Sequence, residues 1–366
     1  MHAGGGQDEV YWFVAHVDKS IITWSSNPAL VPLTAPPLGP SVQQLPEIES
    51  VDDGRLEEVA TMIARADSVL VMAGAGCSMD SGLPDFRGRG GWYRLGDADV
   101  SMDHIDFHPG SVHLRTAWTL AASMVAAFQE HAPHNGYTSL VAALFPQRLQ
   151  PTARRQRGFV VTSNIDGYFS RAGVPDQALF EAHGCVENLQ CTTVGTEAPC
   201  AHSNRIWPLD SGAAERLDAV RTKAADFMGA APDADWRDCL PRCSCGALAR
   251  PNITHATDVD EDLCEERKGA QRTAMLEWLS AERRAKSFLV VLEVGCGTSY
   301  HSLRGDSEAT VARHRSGGGR ASLVRIDPGD PAVPLGETGL RLPAREALAR
   351  LFFATTERSA SLQQGK

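Results

Sequence analysis

An α/β fold built on a parallel, doubly wound sheet is what the sequence predicts, and three observations predict it. Short apolar runs at Val69-Leu70-Val71-Met72, Phe159-Val160-Val161-Thr162, Phe288-Leu289-Val290-Val291-Leu292 and Leu323-Val324-Arg325-Ile326 have the length of strands buried on both faces. Each run ends on glycine or on small polar residues, where a strand turns at the end that carries ligands in open α/β sheets. Helical spacing precedes or separates them, with Leu56, Val59, Ala60 and Ile63 on one face and Leu114, Trp118, Ala121, Ala122 and Val125 on another.

Composition narrows the class. The 366 residues are enough for one large domain or two, and 43% apolar with 22% charged residues is ordinary for a globular chain. A net charge of −10 provides no general basic field for phosphates, so a nucleic-acid binder is not expected. It suits a basic partner such as a lysine-rich peptide, although an acidic balance is usually a solubility feature. No apolar run approaches the ~20 residues of a membrane span, and no secretory signal is visible, so no membrane partner and a cytoplasmic location are expected. Nine cysteines, an odd number, argue against a disulfide framework. Five of them, Cys191, Cys200, Cys239, Cys243 and Cys245, crowd into one region.

Residues 1–48 read as an N-terminal extension, with an aromatic patch Tyr11-Trp12-Phe13 and a proline-bearing stretch from Pro28 to Pro46 that favours an extended linker. The strand at Val69 runs straight into Gly74-Ala75-Gly76, with Ser78 and Ser81 following. The missing side chains let backbone approach something closely, and free amides at a helix start suit a phosphate. Alone, this turn fits a dinucleotide loop and a plain tight turn about equally. The continuation Ser81-Gly82-Leu83-Pro84-Asp85-Phe86-Arg87-Gly88 is more specific, because no generic phosphate loop needs it.

The stretch resembles the NAD-binding signature of the sirtuins, NAD-dependent protein deacylases, whose pattern reads GAG-x-S-x-x-SG-x-PDFRG. Every fixed position matches, and further likenesses follow in the family's order over roughly residues 50–350. The resemblance is to the bacterial type. It implies a Rossmann-like parallel-sheet NAD-binding domain with a small zinc-binding module inserted, the catalytic domain covering 49–355, the module about 185–255, and residues 356–366 a tail. Gly74, Ala75, Gly76, Ser78 and Ser81 would then hold the cofactor, with Asp85, Phe86 and Arg87 on a covering loop. Ser163, Asn164 and Asp166 match the family's Gln-Asn-Ile-Asp around the nicotinamide end, Ser163 replacing the glutamine with a shorter reach. Gly297, Thr298 and Ser299 match its Gly-Thr-Ser turn, and Asp327 stands where the family has an asparagine against the adenine ribose.

Glu181-Ala182-His183-Gly184 resembles the family's Glu-x-His-Gly, and the resemblance implies that His183 is the catalytic base. An imidazole with an ordinary pKa near ~6.5 takes up a proton at neutral pH. The resemblance also implies a structural zinc on two Cys-x-x-Cys pairs. Cys191, eight residues after His183, fits the first place, but its expected partner is Val194. Cys200 is the nearest substitute, and Cys243 with Cys245 supplies the second pair, Cys239 being the reserve. A module without metal stands as the alternative, because both spacings are irregular.

Two regions bear on substrate. Ala121 and Met124 fall where succinyl-specific relatives carry a Tyr-x-x-Arg pair, which implies an apolar acyl pocket. After Pro251 the family's Val-x-Phe-Gly-Glu peptide clamp is replaced by Asn252-Ile253-Thr254-His255-Ala256-Thr257-Asp258. The expected activity is NAD-dependent deacylation, principally deacetylation, of acylated lysine in a protein or peptide, releasing nicotinamide and O-acyl-ADP-ribose. The alternatives are an NAD glycohydrolase or ADP-ribosyltransferase on the same pocket, and an NAD-sensing module without turnover.

Overall fold

A computed structural model describes residues 53–86, 91–95, 98–99, 105–146, 156–226, 234–254, 263–298 and 302–352. The N-terminal aromatic patch and prolines, Arg87, residues 255–262, Ser299 and the tail lie outside the described residues. In chain order the strands begin β1 (Ser68–Ala73), β2 (Arg94–Leu95), β3 (Ala98–Asp99), β4 (Gly158–Thr162) and β5 (Leu179–Glu181). They continue β6 (Gly184–Cys191), β7 (Ile206–Pro208), β8 (Ala249–Ile253), β9 (Phe288–Val294), β10 (Arg320–Ile326) and β11 (Thr338–Leu340).

The main sheet has the order β11-β10-β9-β1-β4-β5, and every adjacent pair is parallel. β1 and β4 are buried at every residue, as expected for strands covered on both faces. The chain builds outward from β1 to β4 and β5, then returns to β1's other side as β9, β10 and β11. The order therefore reverses between β1 and β9, and the crevice at their carboxyl ends is the place such sheets reserve for ligands.

Helices cover the sheet as the periodicity predicts. In α1 (Asp53–Arg65) the buried residues are Leu56, Val59, Ala60 and Ile63. After the single turn α2 (Gly76–Met79) comes α3 (Leu114–Glu130), which buries Leu114, Trp118, Ala121, Ala122, Met124 and Val125. The next are α4 (Asn135–Leu144), α5 (Tyr168–Ala172), α6 (Ser211–Asp226) and α7 (Ala234–Arg237). Then follow α8 (Glu266–Ala285), α9 (Ser302–Ser316) and a final helix over residues 344–352. Among the described residues no helix is long and apolar enough to cross a membrane.

A separate antiparallel sheet, β7-β6-β8, runs from Gly184 to Ile253, where the small inserted module was expected. One buried ion pair fixes the far side of the main sheet. Arg325 on β10 lies opposite Glu293 on β9 and grips it with Nε and Nη2 at 2.6 and 3.0 Å, while Nη2 also reaches Glu308 on α9 at 3.0 Å. A carboxylate 1% exposed persists only with such compensation, so this pair locks register between the two strands.

The turns after β1 and β9 pack on each other through backbone. Gly76 N–H donates to the Gly295 carbonyl at 2.9 Å and Gly74 N–H to that of Val294 at 3.0 Å. A Cβ on Gly74 would sit 2.7 Å from both the Gly295 oxygen and Cys296 Cα, and one on Gly295, whose φ is +60°, would sit 2.3 Å from the Cys77 nitrogen. Gly295→Ala is therefore expected to cost about 3 kcal/mol through overpacking and a left-handed φ. Gly305→Ala, in α9 with nothing within 4 Å of the added carbon, should gain up to ~1 kcal/mol. Urea unfolding of the two variants checks both signs.

Candidate active site

His183 lies in the connection between the last strand on this side of the main sheet, β5, and the first strand of the small sheet, β6. That crossing explains its neighbour. Gly184 has φ +76°, and a Cβ there would sit 2.0 Å from the Asn252 carbonyl of β8, so only glycine lets β6 approach β8 immediately after the histidine. The His183 carbonyl is held by the Thr254 N–H at 3.0 Å. Its ring Nδ1 is 3.0 Å from the Ser163 carbonyl at the end of β4. A carbonyl only accepts, so Nδ1 carries the proton and Nε2 keeps its lone pair. The ring is half-buried, and that desolvation is the main cause lowering its pKa; the Ser163 carbonyl opposes the shift and the Lys268 charge adds to it.

Ser163 connects this imidazole to the glycine turn, since its N–H donates to Ala73 O at 3.1 Å. Next to it, Asn164 Nδ2 donates to Gly74 O at 3.0 Å and to Ser78 Oγ at 2.9 Å. Ser78 Oγ in turn donates to Asp166 Oδ2 at 2.5 Å and lies 3.1 Å from the Tyr137 hydroxyl. Asp166 Oδ1 accepts the Tyr168 N–H at 2.8 Å. Burial pushes the Asp166 carboxyl up, against the pull of Ser78 and the Tyr168 N–H, and pushes the Tyr137 hydroxyl well above its usual range. Among the described residues Asn164 Oδ1 has no hydrogen-bond partner although the side chain is buried. A buried acceptor of this kind calls for a donor from something not in the chain's own network.

The other expected positions divide. The amides of Gly74, Gly76, Cys77 and Ser78 are spent on Val294, Gly295, Gly74 and Ala75 carbonyls. The glycines of this turn are thus demanded first by the opposing turn. Ser81 Oγ accepts the His134 N–H at 3.0 Å, at the start of α4. Asp85 and Phe86 accept through their carbonyls from Trp92 and Tyr93 N–H at 2.9 and 3.0 Å, which pairs the two segments on either side of residues 87–90. Gly297 has nothing within 4 Å of where a Cβ would stand, and Thr298 is exposed. Asp327 staples that turn: Oδ2 accepts the Gly297 N–H at 3.0 Å, and Oδ1 accepts those of Gly329 and Asp330, both at 2.9 Å.

In the small sheet the four expected thiols converge. Cys191 Sγ lies 3.6 Å from Cys200 and 3.8 Å from Cys245, Cys200 lies 3.9 Å from Cys243, and all four sulfurs fall within 4.8 Å of one another. A tetrahedral zinc with bonds of ~2.3 Å sets its sulfurs ~3.8 Å apart, so the cluster has the dimensions of a closed thiolate site. Cys239 is not among the four. The Thr193 hydroxyl holds the Cys200 thiol down to about 6, while burial pushes Cys191 up to about 12. Gln190 Oε1 of β6 accepts from Asn252 Nδ2 of β8 at 2.7 Å and from Cys264 N–H at 3.1 Å, which holds the chain against the small sheet after residues 255–262.

Sequence reasoning missed the supports supplied by α8. Arg267 pairs with the buried Glu181 and with Asp176 (2.7 Å), Gln271 Oε1 accepts the Glu181 N–H at 3.1 Å, and Lys268 reaches Thr254. These residues stand more than eighty positions from His183 in no motif, and only the helix's placement reveals them. Tyr137 was missed for the same reason.

A parallel sheet with a crevice at its switch point, a histidine at the carboxyl edge and a thiol-lined module together define a Rossmann-like α/β fold with a small appended cysteine-rich module. The Sir2 family model matches residues 74–266, more than half of the chain, and the protein belongs to that family. It is similar to an NAD-dependent protein deacylase 2 of Pseudomonas aeruginosa, 32% identical over 143 residues, covering 38% of this chain and 52% of the relative. It is also similar to the mitochondrial NAD-dependent protein deacylase sirtuin-5 of Canis lupus familiaris, 29% identical over 216 residues, 56% of this chain and 61% of that one. The chain thus spans little more than half the length of these relatives. A solved Sir2 homologue–NAD complex shares the fold with a TM-score of 0.52 at 17% identity, over 82% of this chain and 94% of that one.

Because the folded His183 titrates below an unfolded value near ~6.5, its contribution to stability is complete above that pH. It is lost as pH falls from there through the lowered folded value. His183→Gln should therefore show a shallower loss of unfolding free energy between pH 7 and pH 5 than the native chain, measured by urea titration at each pH.

Proposed function

We propose that this chain is an NAD-dependent protein-lysine deacylase, acting on acetyl or longer aliphatic acyl-lysine and releasing nicotinamide and O-acyl-ADP-ribose. The observation that carries the reading is the tautomer of His183: Nδ1 is committed to the Ser163 carbonyl, and the same segment enters the Asn164–Ser78–Asp166 network against the glycine turn. The names of the similar deacylases support it.

The residues present fit the cofactor. The unpartnered Asn164 Oδ1 is a buried acceptor for an amide or hydroxyl donor, and the space over Gly297 leaves room for a group to lie on the backbone. In this reading Gly74, Ala75, Gly76, Ser78, Ser81, Gly297, Thr298, Ser299 and Asp327 line the dinucleotide. Ser163, Asn164 and Asp166 face its nicotinamide end, and Asp85, Phe86 and Arg87 close over it. NAD, when bound, would supply an electrophilic ribose carbon and nicotinamide as its leaving group. His183 Nε2 takes the proton of a ribose hydroxyl, and the Ser163 carbonyl steadies the imidazolium that results. The depressed proton affinity of the ring keeps Nε2 open below neutral pH. Asp166 holds Ser78, and Ser78 with Asn164 holds the turn that orients the substrate.

Two features speak to the acyl-lysine. Ala121 and Met124 are buried on α3 and offer no cation to an acidic acyl group. β8 is an edge strand of the small sheet, the position from which a peptide is gripped by strand addition. The loss of the clamp's phenylalanine and glycine favours, as the second reading, an NAD glycohydrolase or ADP-ribosyltransferase that needs no peptide. Zinc, held by Cys191, Cys200, Cys243 and Cys245, would be structural and tie the strands of the small sheet.

Incubation with NAD and an acetyl-lysine peptide should release nicotinamide only when both are present, with O-acetyl-ADP-ribose detected by mass spectrometry. His183→Gln should lower the rate by roughly 10²–10⁴-fold. Nicotinamide release without peptide would favour the hydrolase instead. Elemental analysis should find one zinc per chain, lost in Cys200→Ser and Cys243→Ser and retained in Cys239→Ser.

A further inference from the structure

Helix α8 touches the His183 segment from outside the cofactor crevice. Lys268 Nζ donates to Thr254 Oγ1 at 3.2 Å, and Thr254 donates its own N–H to the His183 carbonyl at 3.0 Å. The Lys268 side chain is only 14% exposed and is paired with Glu265 Oε1 at 2.5 Å. One residue therefore bridges a lysine and the candidate base, and that residue lies at the end of β8, where this chain departs from the sirtuin pattern.

We propose that Lys268 is a positioning residue for His183, fixing the histidine's backbone through Thr254 so that the ring keeps its place against the Ser163 carbonyl. The inference rests on the deacylase reading only for its kinetic consequence. A hydroxyl held by an ammonium cannot swing freely, so the Thr254 N–H stays aimed at the carbonyl and the imidazole keeps its place against Ser163. The ammonium also makes a second positive charge nearby unfavourable, which favours the neutral ring that accepts a proton.

Of the other charged groups on the elements meeting here, Arg250 on β8 donates to the Ile253 carbonyl at 3.2 Å and lies over the Phe107 ring, and the neighbouring carboxylates have partners of their own. Glu181 on β5 is closed by Arg267, and Asp166 after β4 is turned to Ser78 and the Tyr168 N–H. Glu187 on β6 pairs with Arg171 at 3.6 Å, and Glu265, the residue preceding α8, is shared between Lys268 and Arg272. Among these, Lys268 is the one whose charge bears on the His183 ring, and its effect is in the same direction as burial.

A plain ion pair between Lys268 and Glu265 would predict a change in stability and nothing at His183, so the readout is the histidine itself. Full-length protein labelled at histidine ring carbons is titrated by NMR, with His183→Gln identifying the resonance. Lys268→Met is expected to move the His183 midpoint to higher pH, and the acid limb of kcat/KM for NAD with an acetyl-lysine peptide should move with it. Lys268→Arg, which keeps the charge, should restore both. Lys268→Gln repeats the test should the methionine variant fail to fold. A His183 midpoint in Lys268→Met or Lys268→Gln that superimposes on the native one overturns the proposal, as does a shift that arginine does not reverse. Should the native chain show no turnover, the deacylase reading falls, and the NMR titration still decides the role of Lys268.

Discussion

The contact between two side-chain-free turns, one after β1 and one after β9, is the constraint on which the rest of the structure depends. The Gly76–Gly295 hydrogen bond and the close approaches at Gly74 and Gly295 bring the two halves of the sheet together at the point where strand order reverses. Everything proposed to meet the cofactor is referenced to that contact. Asn164 and Ser78 hang from the first turn, Asp327 pins the second through Gly297, and the Ser163 N–H ties β4 to the end of β1. Parallel strands buried on both faces make this junction rigid, because no strand can shift without moving its neighbours.

Around that junction the chain places its polar groups in pairs that each restrict the other. His183 is fixed at its ring by β4 and at its carbonyl by the residue after β8. Glu181, two positions earlier, is buried at a cost that Arg267 offsets. The histidine thus sits where the main sheet, the small sheet and α8 meet, and none of the three alone would hold it. The four thiols gather at the far ends of β6 and β8, where a bound zinc would fasten the two strands to each other.

Much of this was legible in the sequence. Apolar runs gave four of the six main-sheet strands, and the 3.6-residue spacing of Leu56 and its neighbours gave the buried face of α1. Glycine and small polar residues at strand ends marked the crevice. The four thiols that converge are the four chosen despite irregular spacing, because geometry about a metal constrains sulfur positions and not loop lengths. What could not be read were contacts between residues distant in sequence and free of any motif. Ser78, met as a hydroxyl available to a phosphate, is occupied by Asp166 and Asn164. The glycines at 74 and 76, read as leaving room for a ligand, are required first by Gly295 and Cys296. Tyr137, Arg267 and Lys268 carry no signature, since a helix face is specified by burial and its partners only by the fold.

The central claim, that the paired turns and His183 form one dinucleotide site, is tested most directly by crystals grown with ADP-ribose. The account predicts the pyrophosphate beside the turns at Gly74 and Gly297, with the distal ribose within hydrogen-bonding distance of His183 Nε2. Density for the ligand on another face of the sheet, or a ribose pointing away from that imidazole, would contradict it.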